Sequence, residues 1–142
     1  IGFKMRTLSE GSRMGYAEGR ITPHENVHST FKQGWHTTWE NKRFYYRSSY
    51  ELDLCNELDE KRVSYSMESL RIQYFDSQKQ KTRTALPDFH LPVHNEIVEV
   101  KSEYFFDKVN MQDKFREYKS RGYDCRLLLE HEEYSYEEVL AM

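Results

Sequence analysis

The spacing of apolar residues along the chain changes near residue 44. Over residues 1–43 the apolar positions are scattered among Gly, Ser, Thr and His residues and follow neither a helical nor a strand period. Only the stretch 22–31 begins with residues that cap and start a helix. We therefore predict an extended N-terminal arm over residues 1–43 and a folded core over residues 44–142.

Two stretches of the core have helical periodicity. Ser48 and Glu51 have the spacing of a capping box, and apolar residues follow at helical intervals, so a helix is predicted over 48–60 with Glu51 on its apolar side. A second helix is predicted over 103–121, because long and apolar side chains share one face and Gly122 is a natural stop. That predicted face consists of Tyr104, Lys108, Met111, Phe115 and Tyr118.

Shorter runs rich in β-branched and aromatic residues predict strands. They lie at 71–75, 84–91, 97–101 and 123–129. The polar stretch 76–83 has the composition of a hairpin loop, and a short helix is predicted from residue 135. Because a helix separates the last two strands, the final strand can join the sheet through a right-handed crossover. The predicted fold class is therefore α/β (α+β), with a mixed sheet flanked by helices and preceded by the arm.

The composition excludes several classes of protein. Aromatic residues make up 15% of the 142 residues, which is enough to build a core and argues against disorder. The mean hydropathy is -0.94, and no stretch approaches the roughly 20 apolar residues of a membrane-spanning helix. Two cysteines are too few for a disulfide framework or a Cys-rich zinc site. We expect a protein of the reducing cytoplasm that does not enter a membrane.

The net charge of -3 hides an uneven distribution along the chain. Residues 1–50 contain eight basic and four acidic residues, whereas residues 51–142 contain 13 basic and 20 acidic residues. A basic arm joined to an acidic body is a pattern that needs an explanation, and one explanation is that the arm contacts a polyanion. The alternative is that these charges only solvate the surface.

One motif matches a zinc peptidase. His24, Glu25 and His28 fit the pattern H-E-x-x-H, in which two His one helical turn apart bind zinc and Glu acts as a base. Pro23 starts the predicted arm helix directly before His24, so no preceding turn would hold the ligands in place. A capped arm helix is the preferred interpretation, and a zinc peptidase is the alternative.

A second group of residues joins the first helix to two of the strands. Side chains alternate along a strand, so Glu99 and Lys101 lie on the same face. If the strand that contains Asp88 pairs antiparallel with theirs, Asp88 lies beside Glu99, and Glu51 faces the sheet from the helix. Three carboxylates at the edge of a core require protonation or a cation. Oxygen ligands of this kind favour Mg²⁺ or Mn²⁺.

Each of these residues also has an ordinary structural interpretation. Glu51 could serve only as the capping partner of its helix, Pro87 and Asp88 could form a turn, and Glu99 with Lys101 could be a surface pair. Those interpretations must, however, place four residues by accident in the order and topology that one kind of site requires.

Glu51 on a helix, the pair Pro87-Asp88, and the triplet from Glu99 to Lys101 together resemble the PD-(D/E)XK nuclease superfamily. The flanking segments are similar to those of phage-type members, including the Arg-Ser-Ser-Tyr-Glu helix start, and the resemblance covers residues 44–130. His90 departs from the family pattern, where an apolar residue is more usual. The resemblance implies a restriction-endonuclease-like sheet.

The resemblance also implies a metal-dependent DNA endonuclease, and most closely a site-specific phage homing enzyme acting in the cytoplasm of a bacterial host. Mg²⁺, with Mn²⁺ as a substitute, would be held by Asp88, Glu99 and the Val100 carbonyl, with Glu51 contributing directly or through water. Lys101 would position the attacking water. The expected partners are double-stranded DNA and, since a double-strand break needs two cuts, a second copy of the chain.

Basic and polar residues on the arm and loops are the candidate DNA contacts. They are Arg13, Arg20, Lys32, Lys42, Arg43, Arg47, Lys79, Lys81, Arg83 and Gln112. The alternatives to a homing enzyme are a structure-specific phage nuclease in DNA repair or head completion, and a non-catalytic DNA-binding protein of the same fold.

Overall fold

A computed structural model describes residues 32–142 of the chain. The chain divides into two compact units, Ile1–Val63 and Ser64–Met142, and each is described here by itself. The fold is α+β with a mixed sheet, as the sequence predicts, and this sheet has five strands. Within residues 32–142 no helix is both long and apolar enough to cross a membrane.

The described part of the first unit is a β-hairpin followed by a helix. Strand β1 (Gly34–Thr37) pairs antiparallel with β2 (Arg43–Tyr46), and helix α1 covers Ser49–Glu60. The Ser48 hydroxyl accepts a hydrogen bond from the Glu51 amide at 3.2 Å and so caps the helix. The predicted helix over 48–60 is confirmed, whereas the predicted boundary after residue 43 falls inside the hairpin.

The inner face of this hairpin is attached to α1. Nε2 of His36 lies 2.6 Å from Oδ2 of Asp59, and the other oxygen of Asp59 accepts the Trp39 amide at 3.1 Å. The Trp39 indole donates to the Val63 carbonyl at 2.9 Å. These bonds fix the hairpin at its turn and at one strand, so residues 34–46 form an ordered element of the first unit.

The main sheet belongs to the second unit. Its order is β3-β6-β7-β8-β9, and the pairs are antiparallel except for the parallel pair β7–β8. The strands are β3 (Ser66–Met67), β6 (Phe89–Leu91), β7 (Glu96–Lys101), β8 (Asp124–Leu129) and β9 (Glu132–Ser135). A separate two-stranded sheet pairs β4 (Ile72–Asp76) with β5 (Lys81–Ala85). Helix α2 (Lys108–Ser120) makes the crossover between β7 and β8, and α3 (Tyr136–Leu140) closes the chain.

The core of the second unit lies between α2, the main sheet and the β4–β5 hairpin. Met111, Phe115 and Tyr118 of α2 are buried together with Ile97 of β7 and Leu127 of β8. Burying an aliphatic or aromatic side chain of this size stabilises a fold by about 1.5–3 kcal/mol. Glu99 lies on the same face of β7 as Ile97, and Tyr118 lies on the same face of α2 as Phe115. Because β7 and α2 pack against each other in this core, the orientation of both faces is fixed.

Two predicted elements differ from the observed ones. The predicted strand 84–91 is wrong as a single strand, because Pro87 lacks the amide that would continue the ladder and the chain changes sheets between Ala85 and Phe89. The predicted helix 103–121 begins only at Lys108, since Asp107 caps it, and a short 3-10 helix precedes it. Tyr104 is 85% exposed and does not share the buried face. Strands β1, β2, β3 and β9 were not predicted.

Candidate functional site

The antiparallel pair β6–β7 brings Asp88 beside Glu99. The register pairs Phe89 with Val98, so the next positions in the ladder are Asp88 and Glu99. The Asp88 amide donates to Oε1 of Glu99 at 3.4 Å, and Oδ2 of Asp88 accepts the Val100 amide at 2.8 Å. Both carboxylates are buried, with exposed fractions of 8% for Asp88 and 1% for Glu99. Their proximity, predicted from antiparallel pairing of the two segments, is confirmed.

Tyr118 is a member of this site that the sequence did not assign to it. Its hydroxyl donates to Oε2 of Glu99 at 2.6 Å. Burial, and secondarily the nearby Glu99 carboxylate, raise the pKa of Tyr118 far above its ordinary value, so the phenol remains a hydrogen-bond donor. The available signal was that Tyr118 lies on the apolar face of its helix, because a buried Tyr hydroxyl needs a polar partner.

Lys101 supplies the positive charge of the site. Nζ of Lys101 lies 3.7 Å from Oδ2 of Asp88, and 29% of the Lys101 side chain is exposed. The ammonium group therefore lies at the solvent-facing side of a largely buried carboxylate. Two carboxylates and one ammonium leave a negative charge in a dry environment, which further favours a cation.

Pro87 leaves the Val100 carbonyl without a backbone donor from the facing segment. In an antiparallel pair the N–H and C=O of one residue point towards the same neighbouring strand. The Val100 amide bonds to Asp88, so the Val100 carbonyl also faces the β6 side. The residue opposite Val100 in that register is Pro87, which has no amide to donate. The sequence motif therefore keeps this carbonyl out of the β6–β7 ladder and available to a ligand.

The donor set of the second unit fits Mg²⁺. Mg²⁺ is commonly held by one or two carboxylates and keeps several of its waters. Asp88, Glu99 and the Val100 carbonyl provide two carboxylates and a carbonyl, and each Glu99 oxygen accepts one hydrogen bond, which leaves a second lone pair. Among residues 32–142 no group of three or more His, Cys, Asp or Glu side chains could hold a metal ion, so a cation at this site would need backbone and water ligands besides the two carboxylates.

Glu51 lies in the first unit, on the first turn of α1. It is buried, with 9% exposed, on the same side of the helix as Leu54 and Leu58. Oε1 of Glu51 accepts the Arg47 amide at 2.8 Å, so the carboxylate supports the start of the helix one residue earlier than a capping box would. Its assignment as a metal ligand remains a prediction.

Within the described part of the first unit, the candidate DNA contacts lie on or beside the β1–β2 hairpin. Lys32, Lys42, Arg43 and Arg47 are all exposed. Lys42 pairs with Glu40 at 3.3 Å, whereas the guanidinium groups of Arg43 and Arg47 lie over aromatic rings. The positive charges are therefore presented on an ordered strand pair.

The candidates of the second unit have different environments. Lys79 and Lys81 are exposed at the β4–β5 turn, whereas Arg83 donates to Oδ2 of Asp76 at 2.9 Å. The hydrogen bond from Arg83 lowers the pKa of Asp76 and raises that of the guanidinium, so this pair holds the hairpin together. Gln112, predicted to contact DNA, is half-buried and donates to the Val139 carbonyl at 3.0 Å, which attaches α3 to α2.

Several predicted features lie outside the described residues. They are the arm helix over 22–31, the DNA contacts Arg13 and Arg20, and the zinc motif of His24, Glu25 and His28.

Comparison of the chain with protein-family models, with curated proteins and with solved structures finds no match.

Proposed function

We propose that the protein is a Mg²⁺-dependent DNA endonuclease with Asp88, Glu99 and Lys101 at its catalytic centre. The observation that carries the proposal is the buried pairing of Asp88, directly before β6, with Glu99 of β7, with Lys101 3.7 Å from Asp88. Glu51 is proposed as a further acidic residue of the same centre. The resemblance of these motifs to the PD-(D/E)XK nucleases supports the same activity.

The residues of the chain would divide the chemistry between them. Mg²⁺, when bound, polarises the scissile phosphate and lowers the barrier to attack by water. Asp88, Glu99 and the Val100 carbonyl would hold it, and Tyr118 fixes the Glu99 carboxylate through its hydroxyl. Lys101 would donate hydrogen bonds to the attacking water or a phosphate oxygen and compensate negative charge that develops there.

DNA is the proposed substrate because the chain carries exposed basic residues that can contact phosphate groups. Lys and Arg contacts to phosphate supply most of the affinity of non-specific DNA binding, which the acidic body would oppose. Among the described candidate contacts, the exposed residues are Lys32, Lys42, Arg43, Arg47, Lys79, Lys81 and Arg83. A phage homing role, a location in the bacterial cytoplasm and a second copy for double-strand cleavage are the finer proposals that follow from the resemblance.

The test is cleavage of supercoiled plasmid DNA in the presence of Mg²⁺. Asp88→Ala and Lys101→Ala should reduce the rate by at least about a hundredfold, and a chelator should abolish cleavage. The matched controls are Asp124→Ala and Lys119→Ala, which remove an exposed pair separated by 3.8 Å in the same unit. These controls should retain the wild-type rate within about twofold, since surface pairs contribute little.

The outcomes separate the alternatives. Cleavage that survives Asp88→Ala refutes the assignment of the site. Tight DNA binding without cleavage by the wild-type protein at any metal concentration favours a non-catalytic DNA-binding protein.

A further inference from the structure

The outer face of the β1–β2 hairpin carries alternating cations and aromatic rings. Trp35 and Tyr45 are directly opposite in the register, and Arg43 and Arg47 lie two residues to either side of Tyr45, so all four share one face. We call these four residues the ladder face. The His36 ring belongs to the opposite face, where it bonds to Asp59.

The side chains of the ladder face contact one another in sequence. The Arg43 guanidinium lies 4.6 Å from the centre of the Trp35 ring, and Trp35 meets Tyr45 in an edge-to-face contact at 5.3 Å. The Arg47 guanidinium lies 5.5 Å from the centre of the Tyr45 ring. Stacking an Arg on a ring leaves its N–H edge directed outwards, which suits recognition of a phosphate group.

This face exposes more apolar surface than phosphate binding needs. Trp35 is 61% exposed, although Arg43 covers part of its ring. Exposed Trp rings on an ordered element commonly mark binding surfaces, and a flat aromatic partner would cover this one. Between residues 32 and 47 the only acidic residue is Glu40, in the turn, so the surroundings favour an anionic partner.

We propose that the ladder face binds single-stranded nucleic acid, with Arg43 and Arg47 on phosphates and an unpaired base on Trp35. Nucleic acid combines the two required properties, because each nucleotide joins a phosphate to a flat aromatic ring. A duplex offers the phosphates but hides the ring faces in its stack, so the face fits a strand with unpaired bases. The inference rests on the proposed function in taking DNA as the partner, and it identifies the substrate as DNA with a single-stranded region.

The experiment measures the anisotropy of fluorescent oligothymidine and of a blunt duplex in EDTA, where cleavage cannot occur. Trp35→Ala should raise the Kd for oligothymidine by roughly 5- to 100-fold, the loss of one stacked base, and change the duplex Kd by less than about twofold. Trp35→Phe should retain most of the affinity. Arg43→Gln should weaken the binding of both oligonucleotides. It should also reduce the slope of log K against log salt concentration for the single strand by about 0.7.

Arg62→Gln is the matched control. Arg62 lies 5.8 Å from the centre of the Trp39 ring in the same unit, so its replacement removes the same charge and a similar contact outside the ladder face. Its Kd should stay within about twofold of the wild type. Thermal unfolding followed by circular dichroism identifies any variant that has lost its fold. If Trp35→Ala is unfolded, the Kd of Trp35→Phe for oligothymidine is compared with that of Arg43→Gln instead.

Two results would overturn the inference. One is a Trp35→Ala effect on oligothymidine no larger than that of Arg62→Gln, and the other is an equal loss on the single strand and the duplex. Binding is measured in EDTA and does not depend on cleavage, so the two proposals fail independently. An inactive wild-type protein with Trp35-dependent binding refutes only the nuclease, and an active one without it refutes only the ladder face.

Discussion

Tyr118→Phe removes the hydrogen bond that Oε2 of Glu99 accepts from a side chain. The phenol is fully buried and its 2.6 Å bond ends on a carboxylate that is 1% exposed, so water cannot replace the lost donor. Hydrogen bonds to charged groups contribute about 1.5–3 kcal/mol, and this one should lie near the upper end because both partners are buried. We expect the free energy of unfolding to fall by about 2–3 kcal/mol.

The matched control is Tyr74→Phe in the same unit. Tyr74 is 3% exposed, and its hydroxyl accepts a neutral hydrogen bond from Asn110 at 2.8 Å. Its loss should cost about 1 kcal/mol, since neutral pairs contribute less. The assay is urea unfolding followed by circular dichroism at pH 7 in EDTA, which removes any contribution from a bound cation.

A double-mutant cycle with Glu99→Gln tests the cause. Without the charge on residue 99, Tyr118→Phe should cost no more than about 1 kcal/mol, so the coupling energy should exceed about 1 kcal/mol. If the coupling is below about 0.5 kcal/mol, or if Tyr118→Phe costs no more than Tyr74→Phe, the hydrogen bond does not hold the carboxylate and the argument is refuted.

Further measurements test other parts of the second unit. The Arg83 hydrogen bond lowers the pKa of Asp76, so the stabilisation is present above the ordinary value of 3.8 and lost as the pH falls below it; Asp76→Asn should flatten the acid side of the stability curve measured by urea unfolding. Burial raises the pKa of Cys125 to about 12, so Ellman's reagent at pH 8 should label it only after unfolding. Gly122→Ala should lower the thermal stability by about 1 kcal/mol through strain alone, because the φ of Gly122 is +92° and nothing lies within 4 Å of an added Cβ. A rapidly labelled Cys125, or unchanged melting of the Gly122 variant, would contradict these two expectations.

Local patterns predicted the site better than its surroundings. Strand alternation placed Glu99 with Lys101, and the antiparallel pairing placed Asp88 beside Glu99, because both follow from the period of a strand. Tyr118 was not assigned to the site, since its contact with Glu99 depends on how α2 packs on the sheet. The helical spacing predicted which residues of α2 form its apolar face. It could not predict which part of the sheet this face contacts.

The hairpin formed by residues 34–46 was not predicted, for a related reason. Its strands are only four residues long, and one side is apolar mainly through aromatic rings, so no clear alternation marks it. The bonds that fix it end on Asp59 and Val63, more than twenty residues away along the chain. Contacts of this range are tertiary, and propensity does not report them.

The β6–β7 hairpin has a consequence for how the protein acquires its site. Asp88 and Lys101 are joined by one short connection, a 3-10 turn at Pro92–His94 followed by Asn95 in the left-handed conformation. Closing a short loop loses little chain entropy, and hairpins form within about 1–10 μs. The acidic pair can therefore assemble early, before α2 brings Tyr118 against it. Folding would then finish the site by locking a carboxylate that is already in place.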